Sequence, residues 1–214
     1  DTYIDEPFFR ENKGQVYNQY MQPREDILYT SVTKNLVCHY KKNGWQYQFI
    51  KANSLISRDE SETKLELENN SMVPEEYIVY RVDINLLGVN PNVKIESGYD
   101  VEKYDNYYNL PEGLYPALFV KSYKEIIYKN IYNNIDLHFY SMNGLIKYDY
   151  IINSGADYNN IKMEIKGAEL SIENDTLFIK TPLGIIKEGK LKVFQKNRLI
   201  NSYWKIKDNI VSFE

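Results

Sequence analysis

Apolar and polar residues alternate one by one along most of this chain, and that two-residue period leaves few folds open to it. Ile78, Tyr80, Val82, Ile84 and Leu86 share one parity, while Arg81, Asp83 and Asn85 take the other. Leu65 and Leu67 alternate with Lys64, Glu66 and Glu68, as Ile161, Met163 and Ile165 do with Lys162, Glu164 and Lys166. Successive side chains of a strand point to opposite faces, so each run marks a strand with one buried face. Two Asn-Gly pairs punctuate the pattern: Asn43-Gly44 between residues 36–40 and 45–49, and Asn143-Gly144 between 135–140 and 145–152. Asn-Gly supplies the two positive-φ residues of a type I′ turn, so each pair predicts a hairpin.

The last third continues in the same way. Residues 176–180 lead through Thr181-Pro182-Leu183-Gly184 into strands expected near 185–187, 191–195, 202–207 and 210–213. Regular turn signals between short alternating runs predict an all-β chain of antiparallel sheets, sandwich-like or in an extended packed arrangement. The 21 tyrosines fit that class, because the ring packs on a pleated surface while the hydroxyl stays wet. Residues 123–128 read as strand, with a short helical turn near 130–133, and 54–62 as a polar loop. Residues 98–117, holding Gly98, Pro111, Gly113 and Pro116, read as a long irregular connection. It divides a single module of residues 1–214 into halves 1–110 and 118–214.

Charge and chemistry exclude more than they suggest. The 26 basic and 30 acidic residues are interspersed, giving a net charge of −4 with no basic face for nucleic acid. No apolar run approaches the ~20 residues of a membrane-spanning helix. The first residue is Asp1, which fits a processed protein or a trimmed chain, so a missing signal peptide does not argue for the cytoplasm. Cys38 is the single cysteine, and its neighbour His39 must point to the opposite face of a strand, so the two cannot form a nucleophile–base pair. With His138 the only other histidine, no metal site and no cofactor is expected. Asp136 and Asp149 flank the second Asn-Gly hairpin, where they could face each other as a glycosidase-like carboxylate pair. The stronger ligand-binding candidates are Tyr104, Tyr107, Tyr108 and Tyr115. They cluster in the irregular connection, either as a flap over a sheet edge or as exposed rings for a glycan or protein.

Phe9-Arg10-Glu11-Asn12-Lys13-Gly14-Gln15 resembles the opening of an all-β domain found near the N-terminus of large bacterial surface proteins. Those proteins carry SBBP beta-propeller repeats or gliding-motility-associated C-terminal (type IX secretion) sorting domains. The resemblance continues through Ile27-Leu28-Tyr29, Arg81-Val82-Asp83, Leu87-Gly88-Val89-Asn90-Pro91 and Asn106-Tyr107-Tyr108. Its most specific stretch runs from Tyr128 to Tyr140 and includes Ile135-Asp136-Leu137. Residues 145–150, Gly155-Ala156-Asp157 and Thr181-Pro182-Leu183-Gly184 complete it. Asn133-Asn134 stands where that family has Pro-Gly, and Ser154 and Tyr158 replace prolines, so turn shape departs from the pattern. The resemblance implies a non-catalytic, secreted or cell-surface module from a Bacteroidetes-like bacterium. Its partners are then neighbouring domains of the same exported chain, with a glycan or surface protein as the alternative.

The matched residues also have structural readings. Gly14 and Gly184 would supply backbone conformations closed to other residues, and Asp157 would cap a turn. Asn12 and Gln15 would either bond loop backbone or form a polar binding cluster. Asp136, Gly155 and Pro182 complete this set.

Overall fold

The computed structural model describes residues 7–33, 36–56 and 73–214. Seventeen strands and one 3₁₀ turn follow in chain order among the described residues. The first nine are β1 (Phe9–Glu11), β2 (Ile27–Thr33), β3 (Leu36–Lys41), β4 (Gly44–Ile56), β5 (Val73–Leu86), β6 (Lys94–Tyr107), β7 (Ala117–Tyr132), β8 (Ile135–Met142) and β9 (Leu145–Ile152). After the turn at Tyr158–Asn160 come β10 (Met163–Lys166), β11 (Glu169–Glu173), β12 (Thr176–Thr181) and β13 (Gly184–Glu188). The remaining four are β14 (Val193–Gln195), β15 (Arg198–Ile200), β16 (Trp204–Lys207) and β17 (Ile210–Phe213).

Twelve of these strands form one antiparallel sheet that branches at β7. The order runs β16-β17-β10-β5-β4-β3-β2-β1-β7-β8-β9, with β6 also on β7. Tyr123 of β7 has partners on both sides, Asp100 of β6 and Phe9 of β1. Further along, β8 takes over the edge that β1 leaves, with Glu125 opposite Tyr140. Strand β7 is therefore the seam of a sandwich whose two layers diverge from it and are not closed into a barrel.

The layers meet on aromatic rings at inward positions. Phe139 of β8 has ring contacts with Tyr40 at 5.0 Å, Trp45 at 5.1 Å, Tyr128 at 5.8 Å and Tyr148 at 5.7 Å. Such pairs add about 0.5–1.5 kcal/mol each beyond their burial. Val82, Ile84 and Leu86 of β5 are buried beside them, as the alternation predicts, whereas Ile78 lies past the core and is exposed. The three-stranded sheet β11-β12-β13 is separate and lays Leu177 and Ile179 onto this core. A two-stranded hairpin, β14-β15, stands apart from both sheets.

Pairing crosses the boundary between residues 1–110 and 118–214 three times, at β1 with β7, at β6 with β7 and at β5 with β10. The expected irregular connection over 98–117 is mostly strand: β6 continues to Tyr107 and β7 begins at Ala117. The irregular part is residues 108–116, which hold Pro111, Gly113 and Pro116. Bulges break the alternation within β6, whose register on β7 shifts between Asp100 and Tyr104 and again between Asp105 and Tyr107. In place of the helical turn expected near 130–133, residues 130–132 are strand, bent where Asn130 takes φ 51°, and Asn133 starts the two-residue turn into β8.

The two Asn-Gly hairpins differ. Asn143 (φ 54°) and Gly144 (φ 74°) form the expected two-residue turn between Met142 and Leu145. At the other pair, Lys41 lies opposite Gly44, so Lys42 and Asn43 make the turn and Gly44 opens β4. Of the polar stretch 54–62, residues 54–56 belong to β4. Its remainder and the run at 64–68 lie outside the described residues.

Candidate functional site

The long β6–β7 pair and the connection at its end, residues 108–116, carry a group of rings that the core does not bury. Tyr115 is 89% exposed, Tyr99 74%, Tyr108 66%, Phe119 57% and Tyr104 56%. Tyr107 is only half-buried, because it lies opposite Ala117 where the pair closes. The rings of Tyr104 and Phe119 meet at 5.0 Å and a tilt of 56°. Of the four tyrosines predicted from sequence, three are thus open to solvent, and Phe119 joins them without having been singled out. Its signal was present: Phe119 lies between Leu118 and Val120 in an apolar run where alternation breaks down.

The backbone beneath these rings is strained and held. Tyr99, Glu102 and Phe119 have φ of 55°, 54° and 53°, in the left-handed region that costs non-glycine residues roughly 1–2 kcal/mol. Asn106 Oδ1 accepts the Phe119 N–H at 2.8 Å, and Asp100 Oδ1 accepts the Glu102 N–H at 3.1 Å. Lys121 Nζ sits 2.7 Å from Asp100, holding that carboxyl below its ordinary range. The opening motif braces the other side. Arg10 pairs with Asp105 at 3.0 Å, Glu11 accepts the Lys121 N–H, and Lys13 Nζ donates to the Phe119 carbonyl at 2.8 Å.

Asn12 and Gln15 serve the loop that follows. Asn12 Nδ2 donates to the carbonyls of Arg24 and Ile27, while its Oδ1 accepts the N–H groups of Gly14 and Val16. Gln15 donates to the Glu11 carbonyl. Every polar atom of the Asn12 amide is engaged, which supports the loop-organising reading over a binding cluster. Asn12 and Gly14 do line an open cleft of about 190 Å³ with Arg24 and Ile27, but Arg24 is committed to Asp26 at 2.7 Å. Gly14, at φ 107°, needs glycine as expected. Gly184 is constrained differently: a Cβ there would lie 2.6 Å from the Phe49 ring.

The remaining motif residues are local organisers. Asp157 accepts the Asn159 N–H and caps the turn at 158–160, just after Gly155 at φ 83°. Pro182 sits in the β12–β13 turn, where Thr181 Oγ1 donates to the Gly184 carbonyl at 2.8 Å. Asp136 is buried and accepts from Lys129 Nζ at 2.8 Å and from the Asn130 N–H at 2.7 Å. Burial alone would raise its pKa, but these two bonds outweigh it and the carboxyl stays below the ordinary range.

The carboxylate pair considered from sequence does not face across the hairpin. Asp136 lies opposite Ile151, and Asp149 opposite His138. Cys38 and His39 point to opposite faces: the thiol is buried and pushed up to about 12, while His39 Nδ1 meets Thr30 Oγ1 at 2.9 Å. Burial pulls His39 down to about 4. His138 is held by Glu125 at 2.8 Å. Among the described residues no group of three or more His, Cys, Asp or Glu is placed to hold a metal ion.

One titratable residue escaped the sequence reading. Glu188 occupies an inward position of β13 opposite Leu177. It lines a cavity of about 10 Å³ with Trp45, Tyr47, Tyr148 and Leu177, and burial pushes its carboxyl up to about 7.

A family model described as a domain of unknown function, DUF7948, matches residues 9–214. No curated protein and no solved structure matches the chain.

Proposed function

The chain belongs to the DUF7948 family, and on that footing we propose that it is a non-catalytic interaction module of a larger exported or cell-surface protein. It docks a neighbouring domain through the aromatic end of β6–β7. One observation carries this reading: the exposed rings of Tyr99 and Phe119 stand on left-handed backbone, and Lys13 of the opening motif and Asn106 hold Phe119 in place. Strain of that kind persists only where surrounding bonds over-determine it, and it concentrates at binding sites. Aromatic anchors on a rigid, polar-rimmed base also match the anatomy of protein hot spots.

Amide hydrogen exchange tests it, comparing this chain alone with the natural polypeptide that contains it. Docking predicts slower exchange across residues 99–119 in the longer protein, lost on Tyr104→Ala with Phe119→Ala. Identical exchange in both would sink the proposal. A second reading, glycan binding by the same rings, is favoured by the polar residues around them: Asp100, Asn106 and Asp105. A glycan array reading no signal above background for the wild-type chain would exclude it.

A further inference from the structure

The large sheet has three free edges among the described residues: β16, β6 and β9. Two are guarded in ways natural sheets use against edge-to-edge pairing. Strand β16 is four residues long with Lys205 and Lys207 exposed on it, and β6 is broken by bulges between Asp100 and Tyr104, around left-handed Glu102, and between Asp105 and Tyr107. Strand β9 is neither short nor bulged, and its one exposed lysine, Lys147, stands two residues from an exposed Asp149. It pairs with β8 in unbroken register over eight positions and exposes Leu145 at 60% and Ile151 at 43%.

We propose that β9 is an interface for a second copy of this chain, the two β9 strands pairing antiparallel about Tyr148. This interface is independent of the aromatic end of β6–β7. Its sequence, Leu145-Ile146-Lys147-Tyr148-Asp149-Tyr150-Ile151, is self-complementary in that register. Lys147 of each copy then lies opposite the other copy's Asp149, so two opposite-charge pairs form by symmetry. Leu145 lies opposite Ile151, Ile146 opposite Tyr150, and Tyr148 opposite itself. Asp149 accepts a hydrogen bond from the Tyr140 hydroxyl, which leaves its negative charge unneutralised, and both Lys147 and Asp149 are exposed on β9, where they can face a partner strand.

Main-chain geometry agrees with the same register. The two-residue turn makes Met142 and Leu145 a hydrogen-bonded pair with β8. Alternation then turns the N–H and C=O groups of Ile146, Tyr148 and Tyr150 toward the free edge. Pairing about Tyr148 joins those residues to one another, giving about six new main-chain hydrogen bonds. It also makes Lys147 and Asp149 a non-hydrogen-bonded pair, the kind in which facing side chains come closest.

Sedimentation velocity over a concentration series, with circular dichroism as the check on folding, tests the pairing. The wild-type chain is expected to dimerise. Lys147→Asp alone, or Asp149→Lys alone, places like charges opposite each other twice and should weaken dimerisation about tenfold or more. Mixing those two variants should restore a heterodimer, because every facing pair is again of opposite sign. A wild-type chain that stays monomeric overturns the proposal, and so does a dimer unaffected by either reversal.

Discussion

Single residues decide more of this molecule than their number suggests, and Glu188 is the clearest case. Its carboxyl faces apolar and tyrosine side chains, with desolvation the one cause of its rise from 4.5 to about 7. A carboxyl whose folded pKa is raised binds a proton that the unfolded chain has lost. The Glu188 contribution to stability is therefore greatest at low pH. It declines as pH rises from about 4.5 through about 7, above which the carboxyl ionises in the folded chain as well. At about 1.4 kcal/mol per pH unit the loss reaches up to about 3 kcal/mol. Glu188→Gln should abolish that decline and make the protein more stable than wild type at pH 8, as read by urea unfolding. Gly44 is decisive for another reason. A Cβ there would lie 2.0 Å from the Ile84 carbonyl oxygen of the adjoining strand. Gly44→Ala should therefore cost at least about 2 kcal/mol, or shift the β3–β4 turn, visible as a lowered unfolding midpoint.

At the scale of elements, the loop after β1 and the β6–β7 pair make separate predictions. Asn12→Ala removes four bonds that tie residues 12–27 together. It should cost about 1–3 kcal/mol and speed amide exchange over residues 14–27. Tyr99 tests whether strain is maintained for binding. At φ 55° and largely exposed, it should tolerate Tyr99→Gly with a gain of about 1 kcal/mol in chemical denaturation, while the docking protection weakens. The hairpins show why such elements are only partly legible. Asn143-Gly144 formed the predicted turn because two positive-φ residues are a local demand. Asn43-Gly44 carries the same dipeptide, yet Gly44 went into β4, where close approach to β5 requires its missing side chain. Bulges in β6 were misread as loop because a bulge breaks alternation as a loop does, although the neighbouring strand still supplies hydrogen bonds.

For the whole molecule, buried His39 on β3 and inward-facing Glu188 on β13 set opposing pH slopes. His39, held near 4 by burial against an ordinary 6.5, gives stability that is present above 6.5 and lost as pH falls toward 4. Between about 4.5 and 6.5 this gain with rising pH offsets the loss from Glu188. These two contributions should nearly cancel across that window. Glu188→Gln should then unmask rising stability there, and His39→Gln falling stability, each near 1.4 kcal/mol per pH unit at most. Parallel profiles for all three proteins would show that these groups do not control the pH dependence.

What the sequence determined by itself was the class: an all-β antiparallel chain, its inward positions in β5 and β10, and one hairpin with its turn. These follow from alternation and turn chemistry, which act over a few residues and are written locally. Tertiary structure alone decided that β7 is the seam between two layers, that an inward glutamate meets Trp45 and Tyr148, and that the opening motif braces Phe119. Each of these joins residues distant along the chain. Strand order depends on which faces best bury one another, and no local period encodes that choice. Alternation marked β9 as a strand, but only the sheet order left its self-complementary edge open.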